Sequence, residues 1–187
     1  MTARVVSMVA MVKIALLIYG SELSAETKEP ASREHWAALR AFSGEWEGRS
    51  EGKAGAGTVR RSYAFVLRER YLHEKNVSTY PPRDGNRTGE IHEHWSLFSH
   101  DESRQVVVLR QFHQEGFVNQ YVLNAQASGP DRLVFDSESF ENFDQRWRAR
   151  ETYEFRSPDE FVETFELAAP GKELEIYSRN HFRRATP

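Results

Sequence analysis

Beyond residue 44 the chain repeats one pattern. Short runs rich in Val, Tyr, Phe, Thr and Trp, with apolar and polar side chains alternating, are separated by clusters of Gly, Pro, Asn, Asp and Ser. Alternation with a period of two puts successive side chains on opposite faces of a strand. The pattern predicts strands over residues 45–51, 58–67, 70–79, 89–98, 104–114, 117–124, 131–139, 147–155, 159–167 and 173–183. Pro81-Pro82-Arg83-Asp84-Gly85-Asn86, Ser99 to Ser103, Ser128-Gly129-Pro130-Asp131, Ser157-Pro158-Asp159 and Ala169-Pro170-Gly171-Lys172 read as the turns between them. No helical stretch of crossover length separates the strands, which disfavours parallel units and favours a sequential meander. The expected fold is all-β, an up-and-down antiparallel β-barrel of about ten strands, because closure removes exposed sheet edges.

A short capping helix is expected in front of the barrel. Pro30-Ala31-Ser32 opens it, with Ser32 as N-cap and Glu34 at its positive end. Trp36, Leu39 and Phe42 share one face, and Gly44 ends it. Residues 1–25 read as a secretory signal peptide, apolar from Val5 to Tyr19, with Arg4 and Lys13 as the only basic residues and Ala25 closing a cleavage site. The run is short for a membrane span. These features predict an exported protein, periplasmic or secreted, the alternative being a cytoplasmic one, with one domain over residues 26–187 and no stable membrane span in its mature form.

The stretch from Arg104 to Asn124 carries the most chemistry. With Glu115-Gly116 as a two-residue turn, His113 pairs with Val118 and Gln111 with Gln120. One face then carries Val107, Leu109, Gln111, His113, Val118, Gln120 and Val122; the other carries Val108, Arg110, Phe112, Phe117, Asn119, Tyr121 and Leu123. The first face is apolar at its far end and polar toward the turn, which suits a pocket mouth. In the preceding strand, Ile91, Glu93, Trp95 and Leu97 share a side, and the two large apolar groups predict that Glu93 points inward with them. A buried carboxylate needs a partner, which Arg110 or His113 could supply, or takes up a proton. Glu93 and His113 are either ligand anchors or a structural ion pair. His92 and His94 share the opposite side at a spacing found in metal sites. No third ligand is adjacent, and His73, His100 or His113 would have to converge through the fold, so no metal centre is expected.

Composition narrows the function. There is no cysteine, which excludes disulfides, thiolate metal sites and a cysteine nucleophile. A net charge of −3 gives no basic field, so nucleic acid is not an expected partner. Arg60-Arg61 and Arg183-Arg184 read as solvated strand edges or chain ends. Gly52 to Gly57 lack the Lys and the following helix of a phosphate loop, and no Gly-x-Ser-x-Gly occurs. Aromatic residues, 12% of the chain, suffice to fill a core or line a cavity.

Phe42-Ser43-Gly44-Glu45-Trp46-Glu47-Gly48-Arg49-Ser50-Glu51-Gly52 resembles the Gly-x-Trp-x-Gly signature that opens many calycin-type barrels, and is similar to the start of nitrobindin-like haem-binding barrels. The terminal strand ending at Arg183-Arg184 is similar as well. The resemblance implies a ten-stranded barrel with an internal cavity, often dimeric, and haem as a cofactor held by a histidine a few residues before a closing Arg. With Arg184 as that Arg, the ligand position falls on Tyr177, and His181 lies four residues later. Three functions follow: a non-catalytic binder of a small apolar ligand, a haem protein, or an enzyme with Glu93 or His113 as general base and Arg110 or Tyr121 stabilising negative charge. The ligand-binding residues expected are Glu93, Trp95, Arg110, Gln111, His113, Gln120, Tyr121, Tyr177 and His181, with a homodimer as a further partner.

Overall fold

The computed structural model describes residues 36–84 and 86–186. Ten strands follow in order: β1 (Gly44–Gly52), β2 (Gly57–Val66), β3 (Tyr71–Tyr80), β4 (Glu90–Asp101), β5 (Val106–His113), β6 (Val118–Leu123), β7 (Arg132–Glu141), β8 (Arg148–Ser157), β9 (Glu160–Ala168) and β10 (Glu175–Arg184). Each pairs antiparallel with its neighbours in sequence, and β1 pairs with β10 to close the barrel. Each expected strand is present within a few residues of its predicted limits. The expected signal peptide and the expected Ser32 cap lie outside the described residues.

The predicted capping helix is smaller than expected. Among the described residues it is a turn at 36–38 followed by one 3-10 turn, Leu39–Phe42. Its apolar face is as predicted: Trp36, Leu39 and Phe42 are all buried. Phe42 enters the barrel end, with its ring 4.9 Å from Tyr63, 5.1 Å from Tyr153 and 5.3 Å from Phe161. Trp46 plugs the same end. Its indole N–H donates to the Phe42 carbonyl at 2.6 Å, and the Arg184 guanidinium lies 4.3 Å above its ring. Gly48 is required by close strand approach, since a Cβ there would sit 2.3 Å from the His181 carbonyl oxygen.

Period-two alternation divides each strand between interior and exterior, and the interior itself has two halves. Near the 3-10 turn, Phe42, Tyr63, Leu72, Phe98, Leu109, Phe135, Tyr153, Phe161 and Phe182 form one apolar cluster. This half is filled by rings. Toward the opposite end, where the β1–β2, β3–β4, β5–β6, β7–β8 and β9–β10 connections lie, buried inward positions turn polar: Arg61, Glu74, Asn76, His94, Ser96, Gln111, Asn119, Glu151, Glu163 and Asn180.

Three expectations about side-chain direction are corrected. Trp95 is 56% exposed and Glu93 is exposed, so the inward face of β4 is His92, His94, Ser96 and Phe98. Trp95 finds cover on the outer surface, 5.4 Å from the His73 ring and 5.3 Å from the Lys75 ammonium. An aromatic residue supported in this way does not need the core. In the β5–β6 hairpin the inward face of β5 is as expected, but that of β6 is reversed. The loop holds three residues rather than two: the His113 amide donates to the Phe117 carbonyl, the Gly116 amide donates to the His113 carbonyl, and Gly116 has φ +87°. The extra residue pairs Gln111 with Asn119 and Leu109 with Tyr121, so Asn119 and Tyr121 point inward and Gln120 points outward. Finally, Arg61 is not a solvated edge residue. It is 3% exposed and points into the barrel, while Arg60 is exposed.

Candidate functional site

Arg61 organises the polar half. Its guanidinium makes two bonds to Glu163, at 2.6 and 2.9 Å, and its Nε–H donates to Asn76 Oδ1 at 2.9 Å. Glu74 Oε1 lies 3.3 Å from the same Nε, and the Tyr63 hydroxyl accepts from Nη1 at 3.2 Å. The guanidinium also lies 4.5 Å over the Phe182 ring, where the polar half meets the aromatic one. Burial opposes a charged guanidinium, but Glu163, Glu74 and Tyr63 together outweigh it and hold Arg61 firmly protonated. The Glu74 carboxyl is buried as well, which works to raise its pKa. Arg61, with hydrogen bonds from His94 and Tyr63, outweighs the burial and holds it below the usual range. Asn180 donates to Glu163 Oε2 at 2.6 Å.

Glu151 behaves oppositely. It is 5% exposed, and burial followed by the negative charge of Glu163 pushes its pKa well above the usual carboxylate range, against the pull of Arg61. Burial thus favours the neutral acid form of Glu151, the form able to donate a hydrogen bond. With Arg61 positive and Glu74 and Glu163 negative, this trio carries an excess of one negative charge.

At the rim of this half, β4 and β5 bring three imidazoles together. His92 and His94 are two residues apart on the inner face of β4, and His113 is directly opposite His94 on β5. Ring centroids are 5.7 Å apart for His92 and His94, 5.4 Å for His92 and His113, and 5.2 Å for His94 and His113. One ligand nitrogen from each lies within 4.8 Å of the other two. Each ring is also held by a neighbour. Glu115 Oε1 is 2.9 Å from His92 Nδ1, Glu74 Oε1 is 3.0 Å from His94 Nε2, and Asn119 Nδ2 is 3.2 Å from His113 Nε2. Burial, then the neighbouring His94 and His92, push the His113 pKa down to about 2, so this ring is neutral. Phe117 stacks on it with centroids 4.2 Å apart, and Phe143 lies 5.9 Å from Phe117.

The residues expected from sequence divide cleanly. Gln111, His113 and Tyr121 face inward; Asn119 links two of them by donating to the Tyr121 hydroxyl at 3.0 Å while contacting His113. Tyr177 is half-buried, its ring 5.6 Å from inward-facing Phe165. Glu93, Trp95, Arg110 and Gln120 lie on outward strand positions; Arg110 donates to Ser99 Oγ at 3.1 Å, and Gln120 donates to Glu138 at 2.6 Å. His181 is also outside, exposed and 3.8 Å from Glu51, in a groove of about 920 Å³ on the outer surface that Glu47, Arg49 and Arg60 also line. Arg61, Glu74, Glu151 and Glu163 were missed, though a signal exists. Each sits two residues from large apolar positions on its own strand: Val59 and Tyr63, Leu72, Tyr153, and Phe161 and Phe165. A charged residue in that frame points where its neighbours point.

The barrel has a counterpart among solved structures. The crystal structure of Rv2717c from M. tuberculosis superposes with a TM-score of 0.60 at 16% sequence identity, covering 82% of this chain and 98% of that one. The likeness establishes a shared barrel fold. No family model matches the chain, and no curated protein matches it.

Proposed function

We propose that this protein is a non-catalytic, calycin-type binder of a small molecule, and that the ligand is held in the polar half of the barrel. The observation that carries the reading is a set of inward-facing buried atoms with no hydrogen-bond partner: Ser96 Oγ, Glu151 Oε2, Asn180 Oδ1 and Glu74 Oε2. An unsatisfied buried polar atom costs roughly 1–3 kcal/mol. A set of them around Glu151, whose burial favours the neutral acid, suits a ligand rich in donors and acceptors over an apolar one, since rings already fill the apolar half. The aromatic rim of Phe117, Phe143 and Trp147 suits the apolar face of such a molecule.

The other two readings have less behind them. Haem fits these residues poorly: His181 is on the outer surface, and a flat apolar macrocycle would displace the Arg61–Glu163 and Arg61–Glu74 pairs. The general-base reading is weakened because Glu93 and Arg110 face outward, and because a His113 held neutral down to about pH 2 is a poor proton acceptor. Native mass spectrometry of protein purified from its own host tests the proposal. A retained small-molecule adduct that Glu151→Leu abolishes is the expected result. Apo mass alone, together with no thermal shift across a panel of small acids, amides and sugars, refutes it.

A further inference from the structure

We propose that His92, His94 and His113 form a three-histidine site for a divalent cation of the zinc class, open at its fourth position. The proposal is independent of the organic ligand above, since it uses different atoms and makes no demand on Glu151.

The geometry begins with which nitrogen each ring turns away from its carboxylate or amide neighbour. His92 uses Nδ1 on Glu115 and presents Nε2. His94 uses Nε2 on Glu74 and presents Nδ1, which is buried and has no hydrogen-bond partner. His113 uses Nε2 on Asn119 and turns Nδ1 to His92 Nε2, with which it shares a 3.4 Å hydrogen bond that a metal ion would replace. Zinc–nitrogen bonds of ~2.0–2.1 Å at tetrahedral angles put ligand nitrogens about 3.3–3.4 Å apart. The His92–His113 pair already has that separation. One nitrogen from each of the three rings lies within 4.8 Å of the other two, and the rings need to close further to reach ligand geometry.

The outer contacts point the same way. Metal-bound imidazoles characteristically give their other ring N–H to a carboxylate or carbonyl, which fixes the tautomer and strengthens the ligand. Glu115 and Glu74 fill that role for His92 and His94. Asn119 fills it for His113 once its amide turns so that Oδ1 accepts from the Nε2–H. Such partners are more than three neighbouring histidines need for packing alone. Charge agrees too. Glu74 reaches the site directly through His94, and the Arg61–Glu74–Glu163 trio next to it holds one more negative than positive group. A cation at the rim offsets that excess.

Three neutral nitrogen donors without thiolate favour zinc, cobalt, nickel or copper over magnesium or calcium. Three protein ligands leave a coordination position for water or an anionic group, which is the ligand count of open zinc sites rather than closed structural ones.

The test uses the full chain stripped with chelator, then titrated with Co²⁺ alone. Binding of one equivalent, with visible absorption bands of the intensity that four- or five-coordinate cobalt gives, and displacement by Zn²⁺ are expected. His92→Ala, at the rim and only half-buried, should weaken Zn²⁺ binding at least tenfold in calorimetry while far-UV circular dichroism stays unchanged. Glu115→Gln, which touches the metal only through His92, should weaken it by about 10–100-fold. No visible bands and no stoichiometric Zn²⁺ binding by folded wild-type protein overturns the proposal. So does binding that survives unchanged in the folded His92→Ala variant, which would place the ion elsewhere.

Discussion

Removing Arg61 is the sharpest test of how the polar half is held together. The guanidinium is the only positive group in contact with both Glu163 and Glu74 among the described interactions, and all three side chains are nearly inaccessible. Arg61→Met retains much of the side-chain volume and the contact with Phe182 but deletes every bond to Glu163, Asn76 and Tyr63. Two buried carboxylates then face each other's field without a counter-charge. Breaking a buried pair by removing one partner costs about 3–5 kcal/mol, against a total stability of roughly 5–15 kcal/mol for a typical domain. At this chain length each kcal/mol moves Tm by roughly 2–4 °C, so a fall of about 6–20 °C is expected. Urea denaturation followed by tryptophan fluorescence measures it at equilibrium. The loss should shrink as pH falls. Without Arg61 the burial of Glu74 works to raise its folded-state pKa, and a group so raised contributes stability below the unfolded pKa and loses it as pH rises. Adding Glu163→Gln and Glu74→Gln should recover most of the stability at neutral pH, because the buried charge disappears with its partner. A loss of under about 1 kcal/mol for Arg61→Met, the size of an exposed ion pair, would refute the buried network.

Glu151 predicts a pH dependence of its own. Its folded-state pKa is raised by burial and by Glu163, so its stabilising contribution is present below the unfolded carboxylate pKa and is lost as pH rises through the folded value. Glu151→Gln should therefore gain on wild type steadily from acid to alkaline pH in urea melts; a constant difference would contradict the assignment. Two aromatic substitutions check the faces. Phe42→Ala, buried among Tyr63, Tyr153 and Phe161, should cost about 3–5 kcal/mol. Trp95→Ala, on the outer surface, should cost about 1 kcal/mol or less by the same urea melt. Equal costs would mean that the inner face of β4 is misassigned.

What the chain determined locally is the set of strands. Alternation and turn residues act over a few neighbours, so the ten strands and the connections between them were legible, as was the packing face of Trp36, Leu39 and Phe42. Direction and convergence belonged to the tertiary structure. One residue more in the Gln114–Gly116 loop than a two-residue turn reversed β6, since a slip of one inverts every side chain. Hydrophobicity misplaced Trp95 because a large ring can be covered on the outside, and the histidines opposite it took the interior. Arg61, alone in a polar doublet, could be recognised as buried only from Val59 and Tyr63 on either side. His113 lies nineteen residues beyond His94, and no spacing rule links them. Only the pairing of β4 with β5 sets them side by side, because hydrogen-bond register, and not sequence distance, decides which side chains share a space.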